Sequence, residues 1–172
     1  TRNYASRGST LGFGSGNILS QFTAPVGFSQ INSSTAPTPT IPDGRTAFKA
    51  VAYTGNGSTQ SITVGFQPDL VFIKNRSQAD HWRAFDALQG AESFWLPSDD
   101  ANIASDSNTL TAFTSTGFNL GSGAGGVNDS SENFIAYCWK SGASQSNENG
   151  SINTTNQIVG STGFSISKFT GT

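Results

Sequence analysis

Sulfur is nearly missing from this 172-residue chain, which has one cysteine, Cys138, and no methionine. A single thiol excludes an intrachain disulfide. Small extracellular animal domains usually carry several, so one buried thiol fits synthesis in a reducing cytoplasm. With His81 as the only histidine, a zinc site has too few soft ligands, and no metal is expected. His81 is also the only imidazole base for a Ser or Cys hydrolase. No Gly-x-Ser-x-Gly elbow surrounds a candidate serine, and Gly14-Ser15-Gly16 reads as a loop. Charge is scarce too: 12% of residues are charged and the net charge is −2. Without a basic stripe, no nucleic-acid partner is expected. No apolar run approaches the roughly 20 residues that cross a bilayer. No basic start followed by an apolar stretch marks a secretory leader, and no membrane partner is expected. Lys/Glu-rich periodic segments are lacking, so few helices are expected.

What remains is polar but not a disordered composition. Ser, Thr, Asn and Gly make up nearly half of the chain, yet it holds 13 Phe, 3 Trp and 3 Tyr. A solvated coil has few aromatics. Small polar residues between spaced aromatics suit strands joined by tight turns. The length suits one domain with tails. Asn-x-Ser/Thr triplets begin at Asn32, Asn56, Asn75, Asn128, Asn149 and Asn153. With this much Ser and Thr, they are read as chance and not as glycosylation sites.

A short phrase occurs twice. Phe48-Lys-Ala-Val-Ala-Tyr53-Thr54-Gly55 returns, one domain length later, as Phe164-Ser-Ile-Ser-Lys-Phe169-Thr170-Gly171. That spacing is too long for a solenoid period. It suggests a window on a longer array of similar domains.

Three regions follow. Residues 1–45 read as an N-terminal arm or the end of an upstream domain, with a Pro-rich linker from Ala36 to Pro42. Residues 46–143 read as the core unit. Residues 144–172 read as a linker and the first strand of a second repeat. Within the core unit, strands are expected at 48–53, 60–66, 70–73, 110–113, 118–120 and 133–140. Leu70-Val-Phe-Ile73 and Asn133–Lys140 are apolar on both faces, as in central strands. Gly121–Gly126 reads as a hairpin tip, not a phosphate cradle, because no Lys-Ser/Thr follows. Residues 141–157 read as a Ser/Asn-rich linker. The strand at 163–170 either pairs back as an edge strand or adds to another subunit. The fold class is all-β: an antiparallel β-sandwich or jelly-roll-like (concanavalin-like) unit.

Candidate sites are few. Paired carboxylates for glycoside hydrolysis could come from Asp80, Asp86, Glu92, Asp99, Asp100 and Asp106, but nothing in their spacing makes two converge. No catalytic residue is assigned. Asp99, Asp100 and Asp106, or Asn128, Asp129 and Glu132, supply hard oxygens for calcium without the spacing of a calcium loop. His81, Trp82 and Trp95 form the remaining constellation. It is either a sugar-stacking platform or core and interdomain packing.

The run from Tyr53-Thr-Gly-Asn-Gly57 through Gly65-Phe-Gln-Pro-Asp-Leu-Val-Phe-Ile-Lys-Asn-Arg76 resembles a repeated domain of bacteriophage virion proteins. It resembles especially the tail-fibre-like proteins of marine and cyanobacterial phages. The resemblance continues through His81, Asp86-Ala-Leu-Gln-Gly90, Gly117-Phe-Asn-Leu-Gly121, Val127-Asn128 and Phe134-Ile-Ala-Tyr-Cys-Trp139. It covers about residues 25–172. Gln89 stands where that family has Arg, and Phe134 where it has Tyr. The resemblance implies a modular β architecture in a virion protein made in the host cytoplasm. It also implies other virion proteins as partners, a homo-oligomer of trimer type, no cofactor and no catalytic residues. A structural or adhesion role is therefore expected. A carbohydrate-binding module contacting host glycan through His81, Trp82 and Trp95 is the alternative. A polysaccharide depolymerase is a third.

Overall fold

A computed structural model of the chain describes residues 26, 43–99, 103–123, 125–157 and 163–171. The arm and linker expected over 1–45 therefore lie outside the described residues, apart from Val26 and 43–45. All described strands fall in one compact unit, Thr40–Thr172.

Its strands are β1 (Phe48–Thr54), β2 (Gln60–Thr63), β3 (Leu70–Asn75), β4 (Arg83–Asp86), β5 (Ser93–Phe94) and β6 (Ala104–Ser105). They continue with β7 (Leu110–Thr114), β8 (Gly117–Leu120), β9 (Asn133–Trp139), β10 (Ser144–Asn147), β11 (Thr154–Gln157) and β12 (Ile166–Phe169). A 3₁₀ turn, Gly44–Thr46, leads into β1. Every pairing is antiparallel, and the fold is an all-β sandwich. One layer is a four-stranded sheet in the order β1-β9-β3-β4, and the other is a three-stranded sheet in the order β2-β8-β7. The side chains buried between them come from both layers.

Alternation explains the core. In β9, Phe134, Ala136 and Cys138 point inward and are buried; Ile135, Tyr137 and Trp139 point outward and are half-buried. In β3, Val71, Ile73 and Asn75 point inward. Ile62, Phe118, Leu120 and Leu110 meet them from the opposite sheet. A fully buried Phe or Leu side chain of this kind stabilises the fold by roughly 1.5–3 kcal/mol. Both expected central strands are central, since β3 and β9 each pair on two sides. The close approach of β2 to β8 depends on Gly117, where an added Cβ would collide with the Ile62 carbonyl oxygen.

Two segments read as loops are built differently. Residues 141–157 are not simply a linker: β10 and β11 form a hairpin there, and β12 adds to β11. The second copy of the repeated phrase thus places β12 at the edge of a three-stranded meander. Propensity alone misses these strands because Ser, Gln, Asn and Thr dominate them. Gly121–Gly126 is not a hairpin tip. It connects β8 towards β9, with Gly121 N donating to Thr109 O at 2.7 Å and Gly123 N to Asn108 O at 3.1 Å. An added Cβ at Gly121 would meet Asn108 backbone at 2.6 Å, so glycine serves close packing there.

Candidate functional site: an aromatic sheet face

The four-stranded sheet is apolar on both sides. Register sets its outer face: Phe48 lies opposite Trp139, and Tyr137 opposite Phe72. These positions share one side of the pleat. Phe48 and Trp139 have ring centroids 5.0 Å apart. Phe72 meets Trp139 edge-on at 5.5 Å. Phe48 is 40% exposed, while Phe72, Tyr137 and Trp139 are half-buried. The meander adds a further ring, Phe164, which stacks on Trp139 at 6.2 Å.

Both tryptophans singled out by sequence join this face. Trp82 packs on Tyr137, with centroids 5.9 Å apart and planes at 31°. Trp95 meets Phe72 edge-on at 5.9 Å and 89°. Backbone bonds fix Trp95: its N–H donates to Ala84 O, and Ala84 N–H donates to Trp95 O. Both are half-buried. His81 is exposed; its Nδ1 lies 3.1 Å from Ser98 Oγ and its Nε2 3.9 Å from Asp99 Oδ2. Ser98 Oγ also accepts from Trp82 N–H at 3.3 Å. The three residues do not stack on one another; each tryptophan takes its own ring partner. Phe48, Phe72, Tyr137 and Trp139 escaped sequence reasoning as site residues. Their signal was the apolar outer half of strands recognised only as two-faced.

The carboxylates are distributed otherwise than the sequence suggested. Asp80 converges with Asp129 and Glu132, their oxygens lying within 4.8 Å of one another, each residue half-buried. Asn75, inward and fully buried, donates from Nδ2 to Asp80 Oδ2 at 2.7 Å and also to Glu132 Oε2. Asp129 Oδ2 accepts from Gly126 N–H at 2.8 Å. Arg83 stands beside this group, with its guanidinium carbon 5.5 Å from the Phe94 ring centroid. Its Nε and Nη1 are buried without a hydrogen-bond partner among the described residues. Burial lowers the Arg83 pKa, and the charges of Asp80, Asp129 and Asp106 oppose that shift. Gly126, at φ +68°, admits the arrangement, because an added Cβ would meet Arg83 Nη1 at 2.1 Å. Three carboxylates thus gather near one arginine, whose charge can balance only one of them. Asp86 works locally, accepting from Leu88 and Gln89 N–H. Asp106 does the same for Asn108 N–H. Asp100 lies outside the described residues.

Asn128 is a buried hub and not a calcium partner of Asp129. Its Oδ1 accepts from Asn56 N–H at 3.1 Å and from Gln60 Nε2 at 2.8 Å. Its Nδ2 donates to Gly121 O at 2.8 Å and to Ser58 O. All four hydrogen-bonding sites of the amide are satisfied. Behind the aromatic face, burial pushes the Cys138 thiol up to about 12, with the Lys49 charge opposing. Burial, and then the charge of Cys138, raise the pKa of Tyr53 well above its ordinary value. Its hydroxyl donates to Val127 O at 2.6 Å.

These features define an all-β domain with one aromatic and one polar outer face. Residues 43–172 match a family described as Domain of unknown function (DUF7483), and the chain belongs to that family. No curated protein and no solved structure matches it.

Proposed function

We propose that the chain is a structural and adhesion domain of a bacteriophage virion protein, of tail-fibre, spike or decoration type. In this role it acts in particle architecture and host-surface attachment. Its partners are other virion proteins and further copies of itself, assembled as a trimer. It is made in the host cytoplasm and resides in the particle. No reaction and no cofactor are assigned to it.

The observation that carries this reading is the aromatic outer face of the four-stranded sheet. Phe48, Phe72, Trp82, Trp95, Tyr137 and Trp139 gather there. Interface centres favour aromatic residues and exclude charge, whereas a solvent-facing sheet surface is normally polar. The ordered sequence blocks, from Tyr53-Thr-Gly to Tyr137-Cys-Trp139, supply the virion context by resemblance. A second reading, host-glycan binding through His81, Trp82 and Trp95, is favoured by one fact. Both tryptophans lie on that same face, and exposed His81 shares Ser98 with Trp82. The converging acids make no case for a depolymerase, since Asn75 bridges two of them and Arg83 stands among them.

The test is subunit mass in solution for the native chain and for a Trp82→Ser, Tyr137→Ser double variant, with peptide mass spectrometry of purified particles. An oligomer that dissociates in the variant while its β circular-dichroism spectrum persists supports the first reading. A monomer whose tryptophan fluorescence responds to host polysaccharide replaces it with the second. A monomer indifferent to polysaccharide, or particles without the chain, overturns the proposal.

A further inference from the structure

The chain holds two Asn-Gly pairs with described backbone, Asn56-Gly57 and Asn149-Gly150. Asn-Gly is the pair most prone to intramolecular attack, because glycine puts no side chain beside the attacking nitrogen. The two sit in opposite surroundings. Asn56 N–H donates to Asn128 Oδ1 at 3.1 Å, and Asn56 Oδ1 accepts from Ser58 N–H at 2.8 Å. Gly57 N–H, the nitrogen that would attack, donates to Asn128 O at 2.9 Å. Gly57 is also held at φ +64°, with Ser130 Cβ 3.2 Å from where its own Cβ would be. The attacking nitrogen is therefore held by buried Asn128, and the side-chain amide is engaged by Ser58 N–H.

Asn149-Gly150 lies in the loop joining β10 to β11, and both residues are exposed. Asn149 N–H donates to Asn147 Oδ1 at 3.1 Å. Among the described residues, no hydrogen bond engages the Asn149 side chain or Gly150 N–H. The nearest atoms to a Cβ at Gly150 are the Ile152 backbone oxygen and nitrogen, at 3.8 and 3.9 Å. The loop has room to turn Gly150 N onto Asn149 Cγ.

We infer that Asn149 is a site of spontaneous deamidation, and that Asn56 is protected from the same chemistry by Asn128. Hydroxide removes the Gly150 N–H proton, and the nitrogen forms a bond to Asn149 Cγ. The Cγ–Nδ2 bond breaks, and ammonia leaves with a proton from water, giving a succinimide. Water then opens the ring at either carbonyl, leaving aspartate or isoaspartate. No electrons are exchanged, and water is the only co-reactant. The product adds a negative charge beside Glu148. In its isoaspartyl form it also adds a backbone carbon to the hairpin.

The experiment is incubation of the full chain in mildly alkaline buffer, followed by peptide mapping and isoaspartate labelling. Most molecules are expected to convert at Asn149 before conversion at Asn56 is detected. Gly150→Ala, which the open space around Gly150 accommodates, is expected to suppress the signal at Asn149 without changing the β spectrum. Denaturation in urea is expected to raise Asn56 to the rate of Asn149. Equal rates in the native chain, no conversion at Asn149, an unchanged rate in Gly150→Ala, or continued protection of Asn56 in urea would each overturn the inference.

Discussion

The two sheets of the sandwich share a core and differ outside it. On the β2-β8-β7 sheet, Ile62 and Phe118 face inward while Ser61, Thr63 and Asn119 face out. Ser61 Oγ donates to Asn119 Oδ1 at 2.8 Å, and Thr111 Oγ1 to Asn119 O at 3.4 Å. This is the apolar-in, polar-out alternation of a sheet that meets water. On the β1-β9-β3-β4 sheet, the outer side carries Phe48, Phe72, Tyr137 and Trp139. Folding needs one apolar face per sheet. The second apolar face is surplus to the sandwich core, and Trp82, Trp95 and Phe164 of the same chain pack on it.

Alkali should act on the shared core and so on both sheets together. The Cys138 and Tyr53 pKa values are raised in the fold, so folding favours their neutral forms. That stability is complete below their unfolded values, about 8.5 and about 10. It is lost as pH climbs through the folded values, which for Cys138 means up to about 12. Circular dichroism should show one cooperative loss of structure in this range, and Cys138→Ala should remove the part that begins near pH 9. Separate transitions for the two sheets would break the comparison at its root. Phe134→Ala should cost roughly 3–5 kcal/mol in urea unfolding, because it empties a fully buried site. Its hydrogen-exchange protection should fall in both sheets. Trp139→Ala, on the half-buried aromatic face, should cost about 2 kcal/mol and lower protection mainly around Phe48 and Phe164. Asn119→Ala, on the polar face, should stay within about 0.5 kcal/mol of the parent. If Asn119→Ala matched Trp139→Ala, the two faces would not differ in energetic weight.

The fold was legible where side chains alternate strongly. Phe134 to Trp139, Leu70 to Ile73 and the Thr116-Gly117 turn announce themselves by period and turn chemistry. The meander was not, because β10 and β11 are built from Ser, Gln, Asn and Thr, whose pairing depends on backbone bonds that composition does not encode. Trp82 and Trp95 could be singled out as rare, large side chains. Their partners Tyr137 and Phe72 could not, since only the β3–β9 register brings them side by side. The meeting of Asp80 with Asp129 and Glu132 was hidden for the same reason: it spans two distant loops. The Asn128 side chain has four hydrogen-bond partners, Asn56, Ser58, Gln60 and Gly121, yet it looked like any other asparagine in a chain rich in them.

The pairing of β1 with β9 has a consequence for how the chain is made. Among the described strands, β9 is the only partner of β1, and the register joins Phe48 to Trp139. Contacts so distant in sequence are slow to form, because a long loop must close before they can be made. During synthesis, β1 emerges early and waits until nearly the whole sandwich has been translated. Throughout that interval its backbone edge and Phe48 are open to any neighbouring strand. When several ribosomes translate one message, a second nascent copy is the neighbour at highest local concentration. The speed at which β9 arrives therefore sets how long β1 stays open.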